Sequence, residues 1–567
     1  MITLPYKRSF LFIIFLTVIG TFLHFYNLNW GAPFYFHPDE RNIASAVAQL
    51  SFPDQMNPNF FAYGSLPLYV IYFTGYLLQL FMQFFDKQIT TYNPTFEQAV
   101  IISRFYSAMF ATLLIPILYL VGKKMSSSRH SGEQGDARIS NKGLFKRFWT
   151  SQNDENTGLF TAFFATMSVG FIQFAHFGTF EMWLTFFSIL LFWLCLQKVT
   201  RKTVLLAGII FGTLIAVKIS SLVLIILPLL WISIGTYKKT SRVKSLLHII
   251  KSLLLLLIIA FLVYAVSNPY IFFDTPGFLG SMRYESGVGL GTTAVFYTQA
   301  FMGTIPVLFQ FISVYPFLLN PLVTILFVPV VFFFTWKTFQ TKRNAHIMLL
   351  LFFIILFVSQ AFLFVKWTRY MVPTLPFVYL ILSIILLPWM KKLKYFVGIS
   401  IIVTTILFTL SYFIVAYIQQ DTRLQAQKFV EQHIPQGSHI LSETYDIGIL
   451  PIQYSQPLMT QYDFYELDNN SFEYTPQTLT EALELADYIV FPSHRVIQSR
   501  LSNPKVFPHG HTFYTNVLNE TAGFTKIYET PCDLFCKITY LGNPIQAYEQ
   551  TANVFDRPTV FIFQKSY

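Results

Sequence analysis

Long apolar runs, separated by short polar segments, dominate most of the chain. Many of them approach the length of about 20 residues that an α-helix needs to cross the hydrocarbon core of a bilayer. We interpret the following runs as membrane spans: 9–28, 100–122, 157–175, 182–197, 203–217, 219–236, 248–267, 317–336, 347–365, 373–389 and 396–417. The pattern therefore predicts an α-helical polytopic membrane protein, with about eleven spans within a transmembrane domain at 1–417.

One further apolar run, at 65–85, is predicted not to cross the membrane. Lys7 and Arg8 place the N-terminus in the cytoplasm, because Lys and Arg accumulate on that side. The later basic clusters reach the cytoplasm only if 65–85 stays on the outer surface. Those clusters lie at 123–147, 198–202, 238–251, 337–343 and 391–394. We therefore expect a juxtamembrane helix at 65–85, an interface position that suits its interior tyrosines, and an extracytoplasmic C-terminal domain.

Three long connections complete this threading. The first outer loop, at 29–99, holds the juxtamembrane helices, and a second outer loop lies at 268–316. Residues 123–156 are rich in Ser, Lys and Gly and are predicted to form a cytoplasmic loop.

Residues 418–567 show a mixed pattern of short elements. Helix signals alternate with strand signals, at 423–432 and 479–486 for helices and at 439–442, 488–491 and 559–563 for strands. This alternation predicts a small α/β domain, which we expect to cover the mouth of a membrane site or to bind an acceptor. Glu443, Tyr445 and Asp446 follow the first strand, where a polar turn is the simpler interpretation and acceptor contact the alternative.

Composition agrees with a membrane location. Hydrophobic residues make up 54% of the chain and charged residues 12%, whereas soluble domains carry about 25% charged residues. The net charge of +11 is concentrated in the predicted cytoplasmic clusters. We therefore interpret it as the orientation signal of a membrane protein and expect no nucleic-acid partner.

The three cysteines leave one question open. Cys195 lies in an apolar run and is expected to be inert. Cys532 and Cys536 are close together in the C-terminal domain, where they either form a disulfide in an oxidising compartment or belong to a metal site with further ligands.

The densest group of polar residues comes directly after the first span. His37, Pro38, Asp39, Glu40 and Arg41 are consecutive and precede an alanine-rich helix. Adjacent carboxylates at the mouth of a membrane cavity are suited to act as a general base or to bind a cation. The alternative is structural, because Pro followed by acids is also a common way to begin a helix.

Other charged residues face the same predicted side. Arg104, Glu181 and Lys218 adjoin or enter apolar runs, where ionisable groups are costly and tend to be functional. Lys366 and Arg369 lie between two late spans, where interfacial snorkelling is the alternative. Acids and cations together on one face suit a lipid-linked phosphate, since cations hold the phosphate and a carboxylate accepts a proton from an attacking hydroxyl.

An ordered set of motifs carries a family resemblance. In chain order it consists of Asp39-Glu40-Arg41, Tyr63-Gly64-Ser65-Leu66-Pro67-Leu68-Tyr69, Arg104, Thr179-Phe180-Glu181 before Leu184-Thr185-Phe186-Phe187, and Arg369-Tyr370 followed by Pro373 and Pro376. This set resembles the membrane glycosyltransferases of the GT-C fold, the group that contains the protein O-mannosyltransferases and the lipid A aminoarabinose transferase. The ending at 554–558, Val-Phe-Asp-Arg-Pro, is similar to that of a prokaryotic branch of the group.

The resemblance implies roles for individual residues. Asp39 would be the general base of an inverting transfer, and Glu40 and Glu181 would orient the base or the acceptor. Arg104, Lys218 and Arg369 would hold the phosphate, and His176 would bind a sugar hydroxyl. The remaining residues expected to bind the substrate or its phosphate are Arg41, Tyr63 and Lys366.

One departure concerns the donor contacts. The aminoarabinose transferase type carries Glu-Lys-Pro-Pro where this chain has Tyr63-Gly64-Ser65-Leu66, so a phosphate-binding lysine is missing and Lys218 is expected to compensate. The resemblance requires no cofactor, and a divalent metal stays possible.

These observations lead to one hypothesis and two alternatives. The hypothesis is an enzyme of a prokaryotic plasma membrane that transfers a sugar from a polyprenyl-phosphate donor to a protein, lipid or glycan acceptor outside the cytoplasm. A flippase of lipid-linked sugars would use the same charged cavity without chemistry, although internal repeats, which such transporters often show, are not evident. A non-catalytic scaffold for the C-terminal domain would tolerate loss of Asp39.

Overall fold

The computed structural model describes residues 4–87, 92–127, 155–236, 242–293, 295–392, 396–443, 451–452, 458–469 and 471–566. Up to residue 413 the helices are α1 (Leu4–Phe25), α2 (Pro38–Ala48), α3 (Ser65–Gln83), α4 (Phe96–Ser127), α5 (Glu155–Thr166), α6 (Val169–His176), α7 (Glu181–Cys195), α8 (Arg201–Val217), α9 (Ile226–Thr236), α10 (Arg242–Ser267), α11 (Tyr270–Phe273), α12 (Thr275–Leu290), α13 (Tyr315–Leu319), α14 (Pro321–Thr341), α15 (Asn344–Ala361), α16 (Leu375–Lys392) and α17 (Phe396–Phe413). Short 3₁₀ helices lie at Ile219–Ile225, Phe296–Phe301 and Thr368–Thr374.

The length and hydropathy of its helices make this a multi-pass membrane protein. In the described part of the chain, eight helices are long and apolar enough to cross a membrane, or nine if the bent pair α5 and α6 forms one span. Every run interpreted as a span coincides with a helix or a pair of helices. The number of about eleven spans and the orientation of the termini stay predictions.

Helix α3 satisfies the same length and hydropathy test, although we expect it not to cross. At its start, the Ser65 amide donates to Asn268, just beyond the end of α10. At its other end, Gln79 donates to Gln98, which lies at the start of α4. Our threading places both of these helix ends outside, and the juxtamembrane position of α3 stays a prediction.

The C-terminal region forms the α/β domain expected from its pattern. Its helices are α18 (Thr422–His433), α19 (Pro476–Leu485), α20 (Arg495–Ser502), α21 (Pro508–Leu518) and α22 (Leu534–Thr539), and its strands are β1 (Ile440–Glu443), β2 (Met459–Tyr462), β3 (Tyr488–Phe491), β4 (Phe524–Glu529) and β5 (Phe561–Lys565). The strand order is β2-β1-β3-β5-β4. Strand β1 pairs in parallel with β2 and β3, whereas β5 is antiparallel to β3 and β4.

Cys532 and Cys536 form a disulfide, and Cys195 is free and buried. The C-terminal domain packs against the bundle, because Tyr548 and Phe555 belong to the same buried apolar cluster as the membrane helices. Two further apolar clusters lie within the domain itself, around its sheet, so it also has a core of its own.

Of the three polar residues after the first predicted strand, Tyr445 and Asp446 lie outside the described residues, and Glu443 is the last residue of β1. Glu443 is buried, and its carboxylate accepts a 2.9 Å hydrogen bond from the Tyr514 hydroxyl. This contact makes Glu443 part of the core of the domain.

Glu443 should make stability depend on pH. Burial raises the pKa of Glu443 from its usual 4.5 to about 8. The folded chain therefore retains a proton that the unfolded chain releases, and the free energy of unfolding should fall as pH rises from 4.5 to 8. Glu443→Gln should flatten this dependence in thermal unfolding measured against pH, whereas Glu484→Gln, at an exposed position, should leave it unchanged. An identical pH dependence in Glu443→Gln would contradict this assignment.

Candidate active site

Asp39 lies in the first turn of α2, the first helix after α1. Pro38 begins the helix after an extended His37, and the helix dipole favours an acid at this position. The Asp39 carboxylate forms an ion pair with Arg369, and the Tyr63 hydroxyl donates to it at 3.4 Å. The side chains of Asp39 and Arg369 stay 26% and 20% exposed, so the pair is accessible from the site.

Arg369 reaches this carboxylate from the 3₁₀ segment Thr368–Thr374, which precedes α16. Its guanidinium carbon lies 4.5 Å from the centre of the Trp367 ring and 5.7 Å from that of Tyr370. Such stacking on aromatic faces holds a guanidinium in one orientation while its remaining N–H groups stay available for an anion.

A cavity adjoins the ion pair, and Arg369 is one of its lining residues. Five apolar residues line it, and the rest of its lining is polar. The polar lining residues are Glu181, Ser188, Lys218, Ser220, Ser221, Ser359, Gln360, Arg369 and Tyr370. A cavity with two cations, one carboxylate and several hydroxyl groups can bind a molecule that carries both a phosphate and a sugar.

Lys218 supplies the second cation of the cavity. It stands where α8 ends, in an extended conformation that stops the helix. Its ammonium lies 5.4 Å from the centre of the Tyr63 ring and 5.2 Å from that of Tyr370, between the two rings. Lys218 forms no ion pair with any residue in the described ranges, so its charge is available to a ligand.

Glu181 is the first residue of α7 and is 2% exposed. Neither of its carboxylate oxygens has a hydrogen-bond partner among the described residues. A buried, unpartnered carboxylate is costly unless something else satisfies it. Its position in the cavity wall makes a ligand hydroxyl a suitable partner.

Glu40 and Arg104 form a separate buried pair. The Arg104 guanidinium donates to both Glu40 oxygens, at 2.8 and 2.7 Å, and both side chains have no exposure. Arg104 also donates to the Leu28 and Trp30 carbonyls, and the Gly178 amide donates to Glu40. The phosphate role expected of Arg104 is therefore not supported, because its donors are used inside the protein. The catalytic role expected of Glu40 stays a prediction.

His176 and Lys366 also lie away from the cavity. His176 is fully buried, and its ring nitrogens contact the Ile172 and Tyr26 carbonyls at 2.7 Å each. The Lys366 ammonium donates to the Phe364 carbonyl at 2.9 Å. The expected contact of His176 with a sugar hydroxyl is not supported, because backbone carbonyls occupy both of its ring nitrogens. The expected contact of Lys366 with phosphate is not supported, because Lys366 does not line the cavity.

Arg41 and Tyr63 have different positions at the edge of the site. Arg41 is half-buried, and its side chain has no hydrogen-bond or ion-pair partner within the described part of the chain. Tyr63 contacts both Asp39 and Lys218, and it lines a second, mostly apolar cavity. Burial raises the pKa of the Tyr63 phenol well above its ordinary value, so the phenol stays protonated and can donate to Asp39.

The sequence interpretation missed Tyr370, Ser188, Ser220, Ser221 and Ser359 as lining residues. One signal was present, since Ser220 and Ser221 directly follow Lys218 within an apolar run. Among the described residues, no three His, Cys, Asp or Glu side chains are placed to hold a metal ion. The possible divalent metal therefore gains no support from those residues.

Comparison with known proteins gives matches only among solved structures. No family model and no curated protein matches the chain. The archaeal oligosaccharyltransferase AglB from Archaeoglobus fulgidus, in complex with an inhibitory peptide and a dolichol-phosphate, is 12% identical with a TM-score of 0.46, and the match covers 99% of this chain and 89% of that chain. ArnT from Cupriavidus metallidurans, bound to undecaprenyl phosphate, is 14% identical with a TM-score of 0.44, and the match covers 98% of each chain.

A third match is the protein O-mannosyltransferase Pmt1-Pmt2 complex of S. cerevisiae, bound to the sugar donor. It is 16% identical with a TM-score of 0.31, and the match covers 49% of this chain and 35% of that chain. ArnT and the protein O-mannosyltransferase belong to the group that the sequence resemblance names. At these identities and TM-scores the likeness alone establishes no activity for this chain.

Proposed function

We propose that this chain is a membrane glycosyltransferase that moves a sugar from a polyprenyl-phosphate carrier to an acceptor hydroxyl or amine. The supporting observation is that one cavity is lined by Arg369, the ion-pair partner of Asp39, together with Lys218 and Glu181, neither of which has an ion-pair partner among the described residues. A base, cations for a leaving phosphate and a polar group for a sugar or acceptor are the components that such a transfer needs.

Asp39 is the general base of the proposed step. Its carboxylate takes the proton from the acceptor while the acceptor heteroatom bonds to the anomeric carbon of the sugar. The bond from that carbon to the phosphate oxygen breaks, and the electron pair leaves with the carrier phosphate. Because the acceptor attacks the face opposite the leaving phosphate, the configuration at the anomeric carbon inverts.

Arg369 and Lys218 hold the phosphate in this scheme. Both charges stay in place as the phosphate gains negative charge, so they stabilise the transition state more than the bound donor. Arg369 also pairs with Asp39 and thereby keeps the base beside the leaving group. Glu181 accepts a hydrogen bond from a sugar or acceptor hydroxyl.

The location follows the same proposal. The N-terminus lies in the cytoplasm, and the reaction takes place on the extracytoplasmic side of the cell membrane, where the C-terminal domain covers the site. The acceptor is a protein, a lipid or a glycan.

The test uses purified protein in lipid vesicles with a panel of labelled polyprenyl-phosphate sugars and candidate acceptors. Transfer of label from one donor to an acceptor, with release of carrier phosphate, supports the proposal. Absence of transfer from every donor overturns it. Movement of intact donor between leaflets without transfer indicates a flippase instead.

Lys218→Gln should lower kcat/KM for the active donor about 10- to 100-fold, because a hydrogen bond to a charged group contributes about 1.5–3 kcal/mol. The loss should include a lowered kcat, because Lys218 stabilises the transition state more than the bound donor. Initial rates over a donor series measure both constants. Lys87→Gln is the control, since Lys87 is an exposed lysine of the first outer loop that does not line the cavity. Equal kcat/KM in the two variants would exclude Lys218 as a donor contact.

A further inference from the structure

A segment of the C-terminal domain, residues 549–557, packs into the membrane bundle beside the site. We call this segment the strap. All its residues except Thr551 are buried. Ala552, Val554 and Phe555 belong to the same apolar cluster as the membrane helices. Its burial and its contacts on both sides of the site distinguish it from a peripheral connection.

At its first residue the strap contacts the segment that carries Arg369. Glu549 Oε2 accepts hydrogen bonds from the Thr368 amide at 2.9 Å and from the Thr368 hydroxyl at 2.6 Å. Glu549 is 3% exposed and Thr368 is fully buried. The Glu549 amide also donates to the Ser313 carbonyl at 2.9 Å. A carboxylate from the C-terminal domain therefore fixes the backbone immediately before Arg369.

Further along, the strap contacts the segment that carries Asp39. The Phe555 and His37 rings have their centres 4.3 Å apart, and His37 precedes Pro38 and Asp39. Burial lowers the pKa of His37 well below its ordinary value, so this ring is a neutral packing surface. The next residue, Asp556, accepts from the Tyr412 hydroxyl at 2.6 Å and from the Gln173 amide at 3.1 Å. The strap is thus anchored in the bundle on either side of the Asp39–Arg369 pair.

We infer that Glu549 is a positioning residue for Arg369, so that the C-terminal domain sets the geometry of the Asp39–Arg369 pair. The inference rests on the proposed function for the role of Arg369 at the carrier phosphate. Glu549 does not line the cavity, so it acts on the ligand only through Thr368 and Arg369. The domain then completes the site in addition to any contact that it makes with an acceptor.

The test compares Glu549→Gln with the matched control Glu484→Gln, which removes an exposed acid from the same domain. Glu549→Gln keeps the size of the side chain but removes the charge that both Thr368 donors contact. We expect kcat/KM for the donor to fall about tenfold in Glu549→Gln. The control should stay within twofold of wild type, and a similar loss in both variants would overturn the inference.

Coupling to Arg369 distinguishes positioning from general destabilisation. If Glu549 acts through Arg369, its substitution should have little further effect in an Arg369→Lys background, but it should retain its about tenfold effect in a Lys218→Gln background. Equal effects in both backgrounds would indicate a purely structural role and overturn the inference. If Glu549→Gln fails to fold, Thr368→Val removes the hydroxyl donor instead and must show the same pattern.

A binding measurement separates this inference from the proposed function. A polyprenyl phosphate without sugar is titrated onto wild type and Glu549→Gln in nanodiscs. Weaker binding in the variant supports positioning even if no donor reacts, in which case only the proposed function fails. Equal affinity in both proteins, together with equal kcat/KM, overturns the positioning role and leaves the proposed function unaffected.

Discussion

Asp39→Asn is expected to lower kcat about 10²- to 10⁴-fold, the usual contribution of a positioned general base. The amide has nearly the same size as the carboxylate and can still accept a hydrogen bond from Arg369 or Tyr63, but it cannot take a proton at neutral pH. Donor affinity should be retained or increase, because the substitution removes a negative charge beside the bound phosphate. Steady-state rates give kcat, and titration with a polyprenyl phosphate without sugar gives the affinity separately.

The control for this experiment is Asp54→Asn. Asp54 is an exposed acid of the same outer loop, so its loss changes the net charge of the loop without affecting the cavity. Its kcat should match wild type. A kcat for Asp39→Asn within twofold of wild type would exclude Asp39 as the base and would leave Glu181 as the carboxylate to examine next.

Arg104→Met is expected to lower the free energy of unfolding by about 3–5 kcal/mol, as when one partner of a buried ion pair is removed. Glu40 would then be left as a buried charge whose remaining contact is the Gly178 amide. The loss should also displace the start of α2, since Glu40 directly follows Asp39. Unfolding of the purified protein in detergent measures the effect.

Two comparisons make this prediction specific to the buried pair. The double variant Glu40→Leu with Arg104→Met should recover much of the lost stability, because it leaves no unpaired charge. Lys526→Met breaks a partly exposed pair with Glu529 and should cost at most about 1 kcal/mol. A similarly small cost for Arg104→Met would show that the Glu40 charge is satisfied in another way.

Gly178 shows how closely this pair is packed. A Cβ at this position would clash with Ser103 Oγ and would lie 3.2 Å from Glu40 Oε1. Only glycine lets the backbone between α6 and α7 approach near enough for its amide to donate to Glu40. The motif Thr179-Phe180-Glu181 is thus brought beside the start of α2, which places Glu181 in the cavity wall.

The structure brings some of the site residues expected from the sequence together at one site and places others elsewhere. Asp39, Tyr63, Glu181, Lys218 and Arg369 surround one site, as a common role requires. Each adjoins an apolar run or a helix end, where an ionisable or polar group stands out against its neighbours. That signal does not reveal which charge pairs with which, so Arg104 appeared to be a phosphate ligand although its partner is Glu40.

The sequence by itself determined the long apolar helices of the bundle and three of the five strands of the C-terminal domain. Apolar length and periodicity act over neighbouring residues, and they specify an element wherever it lies in the fold. Polar residues at the ends of apolar runs likewise marked Asp39, Lys218 and Arg369 as candidates.

Only the tertiary structure decided how these charges are used. Asp39 and Arg369 are 330 positions apart, Glu40 and Arg104 are 64 apart, and Glu549 and Thr368 are 181 apart. Such contacts depend on how whole helices pack, and no local pattern encodes them. Packing therefore left the Asp39–Arg369 pair accessible and buried the Glu40–Arg104 pair. It also placed the strap beside the site, because the buried Glu549 carboxylate needs hydrogen-bond donors that only the folded bundle provides.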